Sequence, residues 1–396
     1  LEKGAAAVLC THCDGDYPAI VVEDTRIALG QIARGERQRL GMKVVGITGS
    51  VGKSTTKEMV ACVLESTYRV AKTPENHNND IGMPMAILSI PEDTEVAVLE
   101  MGMNHFGEIS YLTAIAKPDL AVITNIGTVH VEHLGSVEGI LRAKLEILEG
   151  MTPGSTVIFN GDNALLWNLR ETLEQNIVYF GVQNPNCDML GTEISQREGK
   201  TSFRAKGFPV MVLPVEGEHY VPDALSAMAV GLQLQVKPEK MQESLSQFRN
   251  MAGRQEIYSK NGFTVIQDCY NAGPESMTAA LSVLGSRTGR RVAVLGDMLE
   301  LGVCADAEHY KIGRVAAKNA DLLLAYGPKS ERMLYGAITG GMSQSSARAF
   351  TDRGKLLEAL KLLAKPGDTL LFKGSHGMGM KQVLDTFLEI TTEDKL

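Results

Sequence analysis

Residues 44–66 constrain the fold more than any other part of the chain. Val44–Thr48 reads as a buried strand and Lys53–Ser66 as a helix. Between them runs Thr48-Gly49-Ser50-Val51-Gly52-Lys53-Ser54-Thr55. An apolar strand that turns through glycines into a helix start is the setting of a phosphate-binding loop. Glycine reaches the positive φ angles that aim successive N–H groups at one anion. The helix N-terminus adds the positive end of its dipole. Lys53 would reach the β- and γ-phosphates, and Ser54 or Thr55 would ligate Mg²⁺. The spacing departs from the generic G-x-x-x-x-G-K-[ST], because Ile47 stands where the first Gly belongs. A ligand-free glycine turn is the alternative, and Lys-Ser-Thr at a helix start argues against it.

The surrounding pattern predicts an α/β protein. Val96–Met101, Leu120–Asn125 and Thr156–Asn160 read as strands, with a helix over Ser136–Leu148. Val- and Ile-rich strands separated by helices indicate a parallel sheet covered on both faces. After shorter pieces around 209–221 and an Ala-rich helix over Asp223–Leu234, the alternation restarts. Strands at Thr264–Gln267, Val292–Leu295, Leu322–Tyr326 and Thr369–Phe372 alternate with helices, one from Glu275 and one near Ala307–Asn319. The opening stretch, Glu2–Leu9, reads as a helix end running into a strand, which is how the interior of a domain looks. Three regions are therefore expected: 1–40, a truncated N-terminal domain with further chain upstream; 41–250, a central P-loop parallel-sheet ATPase domain; and 251–396, a C-terminal Rossmann-like α/β domain.

Composition narrows the partners. At 396 residues the chain can bury more than one core, and its net charge of −8 argues against nucleic acid, which is usually held by a basic surplus. An acidic protein binds phosphates locally, with loop amides, a few cations and Mg²⁺. No apolar stretch approaches the ~18 residues of a membrane span. Cys10, Cys13, Cys62, Cys187, Cys269 and Cys304 read as reduced cytosolic thiols, so a cytoplasmic protein without membrane insertion is expected. Cys10-Thr-His-Cys13 has metal spacing but no second pair to complete a site.

The Thr-Gly-Ser-x-Gly-Lys-Ser-Thr loop resembles that of the Mur ligases and folylpolyglutamate synthetases, and further segments agree. Asn76-His77-Asn78-Asn79-Asp80 is similar to the Mur ligase stretch that contacts nucleotide and metal, which implies a nucleotide contact at Asn79. Glu100 ends an apolar strand on the side where the loop emerges, where α/β sheets bind ligands, and a carboxylate there suits Mg²⁺. In the family a His of the segment Asn125–Ser136 helps hold a second Mg²⁺, and a Lys on the next helix is carbamylated by CO₂. His130 and Lys144 match those positions; read by themselves they would be a loop imidazole and a solvated helix cation. The family resemblance thus implies ATP on residues 48–55, two Mg²⁺ ions held by Ser54, Glu100, His130 and carbamylated Lys144, and Lys53, Lys144 and His130 as the catalytic groups.

In the C-terminal part Gly253-Arg254-Gln255 resembles the family's hinge-region phosphate contact. Asp268-Cys269-Tyr270-Asn271-Ala272-Gly273-Pro274-Glu275-Ser276 matches the D-x-Y-N-A-x-P-x-S form of the branch that adds D-alanyl-D-alanine, placing Asp268 and Asn271 at the nucleotide. Segments 294–302, with His309 downstream, and 371–375 agree as well. The resemblance implies that a UDP-N-acetylmuramoyl tripeptide carboxylate is activated as an acyl phosphate and joined to D-alanyl-D-alanine by a monomer that closes about a hinge near 250–254. Three residues depart from the family: His376 where Arg is usual after Lys-Gly-Ser, Gly273 for Asn, and Asp223 for Asn. Another Mur ligase, a folylpolyglutamate synthetase, or a ligase-derived nucleotide-binding protein without activity are the alternatives. A P-loop GTPase would need the Asn-Lys-x-Asp motif, which the chain lacks.

Overall fold

The computed structural model describes residues 1–197 and 199–393. The chain divides into two compact units of mixed α/β build. The first comprises residues 1–125, 141–190 and 224–244, and the second residues 126–140, 191–223 and 245–396.

The sheet of the first unit carries six parallel strands in the order Asn176–Gly181, Thr156–Asn160, Leu120–Ile123, Lys43–Thr48, Val96–Glu100, Val70–Lys72. Lys43–Thr48 is central, with successive connections departing to either side of it. Such a reversal of strand order opens a crevice at the carboxyl ends of the strands. Every residue of Val96–Glu100 and of Leu120–Ile123 is buried, the mark of strands covered on both faces rather than on one. Helix Lys53–Glu65 buries Met59, Val60, Val63 and Leu64. Ahead of this sheet Val8–Cys10 pairs in parallel with Ala19–Val21. Residues 2–7 are turn, bend and irregular chain rather than the expected helix end, and the expected strand follows at Val8–Cys10.

The second unit holds a six-stranded sheet in the order Glu256–Lys260, Phe263–Asp268, Thr369–Lys373, Arg291–Gly296, Leu322–Tyr326, Ala347–Phe350. The first pair is antiparallel and the others parallel. Its strands alternate between two cores. Ala293 and Leu295 face Met277, Leu281, Ile312 and Met333 from three helices, Pro274–Gly285, Ala305–Asn319 and Ser330–Thr339. Val292 and Val294 face Leu356, Leu360, Val383 and Phe387 from Arg353–Leu363 and Met380–Glu393. Period-two alternation between two helical layers makes a three-layer sandwich. An antiparallel hairpin also occurs, Lys200–Ala205 pairing with the stretch 191–197. The sequence did not announce it, because Met189–Arg197 is polar and half-exposed along most of its length and carries little apolar alternation.

Candidate functional site

The loop after Lys43–Thr48 is shaped by two glycines. Gly49 has φ 152° and Gly52 φ 85°, both in the region open to glycine. A Cβ on Gly49 would lie 1.8 Å from Thr124 Oγ1, so strain and space both require glycine there. The loop is tied to the neighbouring strand end. Ser50 N–H donates to the Asn125 carbonyl at 3.1 Å, and Val51 N–H to Asn125 Oδ1 at 3.0 Å. The Thr124 hydroxyl donates to the Val51 carbonyl. Asn160 Nδ2 steadies this support by donating to the Thr124 carbonyl at 3.0 Å. Gly52 starts the helix Lys53–Glu65, and no side chain caps it. The first-turn amides of such a helix are suited to an anion. Lys53 folds back over the loop, its ammonium donating to the Gly49 carbonyl at 2.9 Å. Thr48, Ser50, Ser54 and Thr55 are all buried, and Thr48 Oγ1 has no hydrogen-bond partner among the described residues.

Glu100 sits one strand away, its backbone in register with Ile47. It is 2% exposed, and its Oε1 accepts from Asn78 Nδ2 at 2.8 Å. Its Oε2 is buried with no hydrogen-bond partner among the described residues. A buried carboxylate oxygen left in this state costs several kcal/mol, on the order of the desolvation penalty, unless a cation meets it. The donor set of Glu100, Ser54 and a phosphate loop is hard oxygen, which suits Mg²⁺. Asn79, expected at the nucleotide, uses its Oδ1 to accept from Ile81 and Gly82 N–H groups at 3.2 and 2.8 Å, starting the helix Gly82–Leu88. Only its amide nitrogen remains for a ligand.

Lys144 is 1% exposed. Burial, and then the positive charge of Lys53, push its ammonium well below the ordinary lysine range. The same two effects favour the neutral, nucleophilic amine.

His130 belongs to the second unit. It adopts φ 68°, and its Nδ1 lies 2.7 Å from Glu300 Oε2. Beside it the Glu300 carboxyl is held below the usual carboxylate range, mainly by the contact with His130. At the strand ends of this unit Lys373 is 2% exposed and donates to Asp268 Oδ2 at 2.6 Å and to the Asn271 carbonyl at 3.0 Å. Arg254 lies over the Tyr270 ring, 4.2 Å from its centroid. Asn271 turns its Oδ1 onto the Ala272 N–H at 2.9 Å. The exposed His376 ring stands 6.4 Å from that of Tyr270. It borders an open cavity of about 770 Å³ that Tyr258, Gln267 and Met380 also line.

Thr48–Thr55, Glu100 and Lys144 thus share the first unit, while His130, Arg254, Asp268 and Asn271 share the second. The contacts of several residues at these sites escaped the sequence. Asn125 and Thr124 brace the loop, Lys373 occupies Asp268, and Glu300 meets His130. Asn125, Glu300 and Lys373 lie in segments that the family resemblance marked, but the contacts they make left no signal in the sequence.

Comparison with known proteins identifies the family. Residues 47–231 match the Mur ligase middle domain and 253–376 the Mur ligase glutamate ligase domain. The chain is 40% identical over 397 residues to the UDP-N-acetylmuramoyl-tripeptide--D-alanyl-D-alanine ligase of Bacillus subtilis, covering 98% of this chain and 86% of that one. Among solved structures, MurF from Acinetobacter baumannii superposes with a TM-score of 0.89 at 33% identity, over 96% of this chain and 84% of that one. MurF from Thermotoga maritima, solved in complex with ADP, gives 0.87 at 27% identity over 99% and 90%. The chain belongs to the Mur ligase family, in the group of UDP-N-acetylmuramoyl-tripeptide--D-alanyl-D-alanine ligases.

Proposed function

We propose that this protein is a cytoplasmic ATP-dependent ligase of peptidoglycan precursor synthesis, joining D-alanyl-D-alanine to a UDP-N-acetylmuramoyl tripeptide. The observation that carries it is the phosphate-type loop of residues 48–55 beside the half-satisfied Glu100, in a chain 40% identical along 98% of its length to such a ligase. Residues 41–250 serve as the P-loop ATPase domain and 251–396 as the Rossmann-like ligase domain.

The loop amides and Lys53 bind the triphosphate and offset charge on the group in transfer, catalysis that is mainly positional and electrostatic. Glu100 and Ser54 would hold one Mg²⁺, and the family resemblance implies a second, with His130 and a carbamate on Lys144 among its ligands. When bound, the metal neutralises phosphate charge. The neutral Lys144 amine is the form that can add CO₂, and the carbamate would replace a cation by an anionic oxygen ligand. Arg254, Asp268, Asn271 and the amide of Asn79 contact the nucleotide. A tripeptide carboxylate oxygen attacks the γ-phosphorus, the bond to the β-phosphate oxygen breaks, and ADP leaves. The amine of D-alanyl-D-alanine then attacks the acyl carbon, phosphate departs, and the amine loses a proton. No side chain need form a covalent bond with substrate.

ADP release from the full chain should require ATP, the tripeptide precursor and D-alanyl-D-alanine together. Release that ignores the dipeptide, or that responds instead to glutamate, would refute this assignment.

A further inference from the structure

We propose that Glu300 is a positioning residue for His130, fixing the tautomer and orientation of its imidazole. This rests on the ligase assignment above, which gives His130 its place at the metal. Glu300 Oε2 lies 2.7 Å from His130 Nδ1, a close contact whose alignment falls short of a hydrogen bond, and this buried nitrogen makes no hydrogen bond among the described residues. A neutral imidazole carries one proton, and a carboxylate beside Nδ1 keeps it there, leaving the Nε2 lone pair to ligate. Metal-bound histidines are oriented in this way, by a carboxylate on the nitrogen away from the metal. A free imidazole prefers the proton on Nε2, the tautomer that cannot ligate through that atom.

The backbone supports a built contact. His130 and Glu300 both stand in the left-handed region, at φ 68° and 62°, which non-glycine residues seldom adopt without a reason. The segment bearing His130 is also seated closely on its own unit. A Cβ on Gly127 would lie 2.4 Å from Glu275 Oε1, and one on Gly302 3.0 Å from Glu132 Cα. Glu275 accepts a hydrogen bond from the Thr128 backbone. The Glu300 side chain is 46% exposed, so replacing it removes little packing.

The test uses the full chain with ¹⁵N-labelled histidine, free of nucleotide and metal, with the His130 signals assigned through His130→Asn. Wild type and Glu300→Gln, whose amide oxygen can still accept, should show His130 protonated on Nδ1, and Glu300→Ala should shift it to Nε2. In turnover, Glu300→Ala should lower kcat by roughly 10–100-fold, raise the Mg²⁺ concentration needed and leave KM for D-alanyl-D-alanine unchanged. Glu300→Gln should recover most of the loss. The double variant His130→Ala/Glu300→Ala should be no slower than His130→Ala alone. A wild-type His130 protonated on Nε2 overturns the proposal, as does a Glu300→Ala enzyme with normal kcat where His130→Ala is impaired. Failure of the ligase assignment is seen separately, as wild-type protein that releases no ADP with both substrates, whereas the tautomer reports on Glu300 without turnover.

Discussion

Lys373 and Lys144 are buried to the same degree, at 2% and 1% exposure, and live in opposite surroundings. In the second unit Lys373 meets Asp268 at 2.6 Å and a backbone carbonyl at 3.0 Å, so the chain supplies its partners. In the first unit the charge acting on Lys144 is that of Lys53, and the ammonium is disfavoured. Lys57, also in the first unit, follows Lys373: it is fully buried and donates to the Thr73 carbonyl at 2.7 Å. A lysine whose counter-charge is built in acts as a strut. One buried with no counter-charge acting on it marks a place the chain leaves to be completed by a ligand.

That contrast can be broken by substitution, and the largest effect should come at the loop. Lys53→Ala should lower ATP-dependent amide synthesis by on the order of 10³-fold or more while leaving the fold intact, as read by ADP release alongside circular dichroism. Normal synthesis by that variant would remove the loop from the chemistry. Next in size is the paired lysine. Lys373→Met leaves Asp268 without its partner and should cost about 3 kcal/mol in urea unfolding. Lys144→Met should do the reverse, holding or raising stability because it removes a poorly solvated amine, and yet abolish turnover. Equal stability losses in the two variants would erase the distinction between strut and reactive amine.

The smallest effect concerns His219, whose imidazole packs 4.2 Å from the Tyr220 ring and is pushed down to about 4 by burial. The unfolded chain takes up this proton from about pH 6.5 downward, whereas the folded chain resists it until about 4. Stability therefore falls as pH drops through that window, and the loss is complete below it. Allowing for the part of the ring that reaches solvent, His219→Gln should flatten this acid limb by about 2 kcal/mol. An unchanged limb would show that other groups govern acid sensitivity.

Much of this was legible in the chain itself. Glycines, Lys-Ser-Thr and a Val-rich strand are local, so Val44–Thr48 and the helix from Lys53 stand close to where the sequence put them. Glu100 was visible as a carboxylate closing an apolar run. What sequence could not supply is contact between distant segments. That Asn125 holds the Val51 amide, that Asp268 is taken by Lys373, and that Glu300 meets His130 all depend on how strands and loops are brought side by side. Nor could it show that Lys144 is buried, since an Arg-Ala-Lys-Leu-Glu helix segment reads as solvated until its neighbours are known.

The central claim is that the 48–55 loop grips a triphosphate beside a metal on Glu100. A crystal of the protein grown with a non-hydrolysable ATP analogue and Mn²⁺, examined for anomalous scattering, tests it most directly. The account predicts the β- and γ-phosphates on the loop amides and Lys53, with a manganese peak bonded to Glu100 Oε2. A triphosphate lodged elsewhere, or manganese absent from Glu100 with the nucleotide bound, would contradict it.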